Sequence, residues 1–131
     1  EKLKQSNFGD NILQKIDTTT TVADFVDDFY KSLISDPQSI ISSGVITEYT
    51  QLKYEDVVYQ GQTLLEILNH IRTAISQYKQ YEQLRFIEKG SRTINIIVQF
   101  PRDLSEKIYI QEFTIVFNKI WYIQSSIFMI I

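Results

Sequence analysis

The chain contains no cysteine. Disulfides, a thiolate nucleophile and Cys-ligated zinc are excluded together, and a reducing compartment is favoured. Its one histidine, His70, leaves metal binding to carboxylates, a weak ligand set for transition metals. With only 4 glycines, the chain has no Gly-rich phosphate loop and no Gly-x-Ser-x-Gly nucleophile elbow. No apolar run approaches the ~20 residues of a membrane-spanning helix, and no signal-peptide pattern opens the chain. No Asn-x-Ser/Thr acceptor occurs. Lys and Arg form no run, and 13 basic against 16 acidic residues leave a net charge of −3. General attraction to nucleic acid or an anionic membrane is therefore not expected. Neither is a cofactor.

What remains suits one compact α+β domain: 131 residues, 44% of them hydrophobic, enough to fill a core. Because the chain starts at Glu1 rather than Met, we expect a domain of a longer protein. Residues 1–20 read as a polar lead-in with a helical turn around Ile12 to Ile16, and residues 21–131 as the domain. Thr21 with Asp24 three positions later resembles a capping box, and Val22, Phe25, Val26, Phe29, Tyr30, Leu33 and Ile34 form a helical apolar stripe. The stripe ends before Pro37, which opens a second short helix with Asp36 as cap and Gly44 as stop.

Val45 to Gln60 reads as two short strands broken near Glu55 and Asp56. Leu64, Leu68, Ile71 and Ile75 then place a third helix over residues 62–77. Four strand-like segments follow: Tyr81 to Glu88, Thr93 to Phe100, Lys107 to Asn118 and Ile120 to Ile131, with a tight hairpin at Asn118-Lys119. The last three carry apolar residues at both odd and even positions. A sheet with one solvated face should alternate cleanly, so something besides the helices is expected to cover the second face. A second copy of the chain is the economical answer, and a sheet curved over its own core the alternative.

This order of elements resembles the nuclear transport factor 2-like superfamily. Phe25, Phe29 and Tyr30 followed by Asp36 are similar to its aromatic first helix and acidic turn. Tyr54-Glu55, then Tyr59-Gln60-Gly61-Gln62 leading into Leu64, Leu65 and Ile67, resemble its strand, turn and Gln-Gly helix entry. Gln111 and Phe113 match a Gln-x-Phe pattern, and Trp121-Tyr122-Ile123 with Phe128 its closing strand. The likeness runs from about Val22 to Met129. It departs where Ser125, Ser126, Ile127, Phe128 and Met129 replace Asn-Asp-x-Phe-Arg, and where Thr18 stands in place of a nucleoporin-gripping aromatic.

The resemblance implies a cone of three helices packed on a strongly bent, mostly antiparallel sheet that forms a homodimer or heterodimer through its outer face. It implies a non-catalytic protein-binding and dimerisation domain, intracellular, of a protein in nuclear transport, mRNA export or ribonucleoprotein assembly. Its partner would be a protein or peptide, Phe-containing motifs included, bound by Phe25, Phe29 and Leu33 beside the first helix. Asp103 and Glu106 stand nearest to the acidic residues with which the founding factor holds the GTPase Ran. Tyr109, Gln111, Phe113, Ile96 and Trp121 are the expected interface between copies.

Two other readings stay open. One is a structural dimerisation domain of a larger assembly. The other is a cavity-based enzyme of the ketosteroid isomerase-like type, which demands an enclosed polar pocket with at least two titratable groups, Glu112 or Tyr54 among them. Tyr59 offers a further hydrogen-bond donor, and His70 reads as a surface residue beside Glu66. Lys79, Arg85, Lys89 and Arg92 mix with Tyr78, Tyr81 and Phe86, but Glu82 and Glu88 dilute the patch, and direct nucleic-acid binding is not expected.

Overall fold

The computed structural model describes residues 7–131, with side chains from Thr18 onward. Helix α1 runs over Asn7–Ser35, 29 residues, well beyond the expected start at Val22. It passes straight through the four threonines, so Thr21 is an interior residue and not a cap. Each threonine costs only about 0.5 kcal/mol of helix propensity, and extending a helix adds a hydrogen bond without a new nucleus. The turn expected at Ile12 to Ile16 is thus absorbed into α1; residues 1–6 lie outside the described chain.

Helix α2, Pro37–Ser42, follows with Asp36 at its N-cap position. The Asp36 carboxylate makes no capping bond; its backbone carbonyl accepts from the Ser39 N–H and hydroxyl instead. Gly44 ends the element at φ 84°, a left-handed conformation glycine adopts without Cβ strain. Strands β1 (Gln51–Tyr54) and β2 (Val57–Tyr59) form a hairpin turned at Glu55. They are shorter than expected because residues 45–50 form turns. A 3₁₀ turn at Gly61–Thr63 leads into helix α3, Leu64–Ile75.

The remaining strands are β3 (Gln83–Glu88), β4 (Thr93–Gln99), β5 (Tyr109–Asn118) and β6 (Ile120–Ile130). They join the first hairpin in one curved six-stranded sheet, ordered β2-β1-β6-β5-β4-β3. All pairings are antiparallel except β1 with β6, which is parallel. The sheet does not close: β2 and β3 remain as edges. Lys119 alone, at φ 70°, turns β5 into β6, and a bulge at Thr114/Ile115 shifts that hairpin's register.

One face of the sheet takes all three helices. Val22, Val26, Phe29 and Leu33 of α1, Ile40 of α2, and Leu64, Leu68, Ile71 and Ile75 of α3 pack with Ile94, Ile96, Val98, Phe113, Ile115, Ile123 and Phe128. Phe113 lies at the centre, meeting Phe25, Phe29 and Tyr30 edge-on at centroid distances of 6.3, 5.0 and 6.1 Å. Edge-to-face packing suits the aromatic quadrupoles and fixes α1 over β5. The resulting α+β architecture, three helices on a curved and mostly antiparallel sheet, is the one expected.

Candidate functional site

The interior is filled rather than hollow. The helix-facing side of the sheet is lined by Phe and Ile; besides the buried Thr50, whose hydroxyl donates to the Ile123 carbonyl (2.6 Å), its polar groups include one short chain. The Tyr30 hydroxyl donates to Gln111 Oε1 (2.7 Å), Gln111 Nε2 donates to Ser126 Oγ (3.1 Å), and the Ser126 hydroxyl donates to the Glu112 carbonyl (2.7 Å). Gln111 has no accessible surface, and the chain satisfies both ends of its amide. Burial pushes the Tyr30 phenol well above its ordinary pKa, so it acts as a neutral donor. Ser126, which accepts from Gln111 and donates to the Glu112 carbonyl, anchors the Gln111 amide.

Glu112 lies on the opposite face. Its side chain points away from the helices, half-buried, and Oε2 accepts from Asn95 Nδ2 at 2.8 Å. Tyr54 stacks on Phe128 at 5.3 Å and meets the exposed His70 at 6.1 Å, its pKa raised chiefly by burial. Glu112 and Tyr54 are therefore on different faces of the sheet, and they cannot share a catalytic cavity. A shallow depression of about 440 Å³ joins Tyr54, Tyr59, Glu66 and His70. Among the described residues no group of three His, Asp or Glu side chains is placed to hold a metal.

Of the residues expected to grip a peptide, Phe29 and Leu33 are core, at 4% and 0% exposure. Phe25 is half-buried and borders a groove of about 480 Å³ between α1 and α2, with Asp28, Ser32, Ile40 and Val45. That groove is the remnant of the expected docking site. Asp103 and Glu106 lie apart from it, in the loop before β5. Asp103 Oδ1 accepts the backbone N–H groups of Ser105 and Lys107 (both 2.8 Å), and Glu106 faces Arg102 at 3.6 Å. Asp103 is spent on shaping its own loop, and the exposed Arg102–Glu106 pair adds little.

The expected interface residues are corrected by strand parity. Phe113 pairs across the strands with Ile96 and Ser126, and Gln111 with Phe128, all on the helix side. Ile96, Gln111 and Phe113 are fully buried. Tyr109 stacks on Phe128, and Trp121 packs against Phe117 on that same side. None of the five is presented on the open face. In a strand, neighbours point to opposite faces, so an error of one residue exchanges core for surface. The open face instead carries Ile97, Ile110, Ile127 and Met129 around Glu112, all half-buried, with Val58 and Ile87 exposed at its edges.

The basic cluster is dispersed. Phe86 faces the core, Tyr78 stacks on Phe100 at 5.5 Å, and Tyr81 donates to Asp27 at 3.0 Å. Sequence reasoning missed a cleft of about 380 Å³ between α1 and the segment after α3, lined by Tyr30, Ile34, Tyr78, Tyr81 and Phe100. Tyr78 and Tyr81, three residues apart after α3, were its trace in the sequence. Tyr78's hydroxyl is the one buried side-chain polar atom without a partner among the described residues. Burial, helped by Asp103, raises its pKa.

No family model matches the chain, and no curated protein matches it. Solved structures do. A chain of the yeast deubiquitinase Ubp3 and Bre5 cofactor complex superposes with TM-score 0.58 at 15% identity, covering 91% of this chain and 96% of that one. A ketosteroid isomerase, so described, from Shewanella frigidimarina gives 0.55 at 12% identity, over 83% and 94%. Nuclear transport factor 2 from Cryptosporidium parvum gives 0.53 at 14%, over 86% and 94%. The chain has the nuclear transport factor 2-like fold. Its neighbours span a transport factor, a cofactor complex and an isomerase, so the fold by itself does not choose between binding and catalysis.

Proposed function

We propose that this chain is a non-catalytic protein-binding domain that pairs with a second copy of itself through the open face of its sheet. The observation that carries the reading is the division between the two faces. The helix side is packed with Phe and Ile, whereas on the open side Ile97, Ile110, Ile127 and Met129 stay half-buried with no helix over them. An apolar patch spread across neighbouring strands is the kind of surface a partner covers. Catalysis is disfavoured because Glu112 points away from the core, and the depression that joins Tyr54 to Glu66 and His70 is open at the surface rather than an enclosed polar pocket. Sedimentation equilibrium at micromolar concentration tests the pairing, and a monomer throughout that range overturns it.

The α1–α2 groove beside Phe25 supports a second interaction, with a short peptide whose Phe side chain enters between Phe25 and Ile40. We set such binding in nuclear transport, mRNA export or ribonucleoprotein assembly, in the cytoplasm or nucleus, with support limited to the likeness in fold to nuclear transport factor 2 and to a chain of the Ubp3–Bre5 complex. Titration with Phe-containing peptides is expected to perturb NMR resonances of Phe25, Ser32 and Val45. Saturable shifts confined to the opposite side of the domain count against the groove.

A further inference from the structure

Across the open face the strand registers align Arg85, Ile97, Glu112, Ile127 and Lys53 in one transverse row, each opposite the next. The row is apolar except for one anion near its middle and a cation toward each end. Neighbouring strands lie about 4.8 Å apart, so Lys53 and Arg85 are each about 10 Å from Glu112, with an isoleucine between. Among the described residues neither forms an ion pair with it. Glu112 is held by Asn95, an amide that orients the carboxylate without neutralising it. Burying such a charge under a partner is costly unless the partner supplies a cation.

Resting on the self-pairing reading, we infer that Glu112 and Lys53 form reciprocal ion pairs between two copies and thereby set how the copies align. The longest strands, β5 and β6, are the two middle strands of the sheet. A two-fold axis running along the seam between them lays each Glu112 over the partner's Ile127. The partner's Lys53 is then one strand to the side, within reach of a flexible ammonium across sheets stacked about 10 Å apart. An axis running across the strands would instead set the two Glu112 carboxylates against each other, which like-charge repulsion opposes. The face is thus self-complementary in one alignment and repulsive in the other. Arg85, toward the far edge, falls beyond Glu112's reach in the favoured alignment.

A charge swap read by analytical ultracentrifugation tests the pairing. E112K and K53E are each expected to weaken self-association tenfold or more, and the double variant E112K/K53E to recover it to within about threefold. R85E should leave the dissociation constant within about threefold of the parent. Far-UV circular dichroism and the urea midpoint of each variant report folding separately. E112Q, which keeps the shape and can still accept from Asn95, serves as a milder probe and should weaken pairing without unfolding. If the parent chain is a monomer, the self-pairing reading itself fails. If it dimerises but the double variant is no tighter than the weaker single one, or R85E weakens pairing where K53E does not, the alignment is overturned while the dimer stands.

Discussion

Replacing Gln111 by leucine isolates the polar link between α1 and β5 through the core. The substitution keeps the volume roughly constant but removes the acceptor of the Tyr30 hydroxyl (2.7 Å) and the donor to Ser126 (3.1 Å). Ser126 keeps its bond to the Glu112 carbonyl, so its hydroxyl is not stranded. The Tyr30 hydroxyl is. A buried hydroxyl left without a partner costs about 1–3 kcal/mol. Tyr30 also borders the cleft after α3, which gives water a route toward the ring and favours the lower half of that range. We expect Gln111→Leu to destabilise by about 1–2 kcal/mol, roughly a 0.5–1 M drop in urea midpoint for a domain of this size. Tyr30→Phe should cost about 1–2 kcal/mol, because it leaves Gln111 Oε1 unpaired instead. The double variant leaves neither group stranded and should be no worse than the milder single one. Urea unfolding followed by fluorescence, at one fixed protein concentration so that self-association does not confound it, reads all four states. Strictly additive losses would refute the network, since additivity means that the two side chains do not interact.

Other expectations follow from the same core. Tyr78→Phe removes the one buried hydroxyl stranded among the described residues and should raise stability by up to about 1 kcal/mol; a loss in the urea midpoint would mean that the hydroxyl has a partner. Phe113→Ala, at the junction of three edge-on ring contacts, should cost about 3–5 kcal/mol in the same assay. Tyr30, Tyr54, Tyr78 and Tyr81 all have pKa values raised, in each case chiefly by burial. Below about pH 10, the ordinary tyrosine value, both folded and unfolded chains keep these protons and full stability is present. Above it the unfolded chain ionises first, so stability should fall as pH rises toward the folded values, and Tyr30→Phe should flatten that fall. An unchanged slope in Tyr30→Phe would show that its phenol is not held neutral by the fold.

Much of the fold was legible because it is written in periodicity. The α1 stripe from Val22 to Ile34, the Pro37 start and Gly44 stop of α2, and Leu64 to Ile75 of α3 each carry a local signal strong enough to survive tertiary context. The start of α1 was not legible. Threonine's low helix propensity and the Thr21/Asp24 spacing both resemble a beginning, and only continuation of an existing helix overrides them. The α1–α2 groove was half legible for a related reason. Phe25, Phe29 and Leu33 lie on one stripe of the sequence, yet Leu33 is wholly buried in the core, Phe29 lines the groove while almost fully buried, and Phe25 alone of the three is half-exposed there.

Strand parity carried the costliest error, and the cause is physical. In β5 the odd residues Tyr109, Phe113 and Ile115 and the even residues Ile110 and Val116 are all apolar, so hydrophobicity cannot say which set meets the helices. The signal that does separate them lies in the exceptions. Gln111, among the odd residues, has its partners inside the chain, whereas Glu112 carries a charge that a helix-covered core would have to neutralise and does not. An amide with two complementary groups within reach can be buried at little net cost, but a carboxylate cannot. Glu112 therefore marks the open face, and with it Ile97, Ile110, Ile127 and Met129 become the surface to be covered. The same charge that kept a catalytic reading of Glu112 open is the reason the even face of β5 must meet water or an oppositely charged partner.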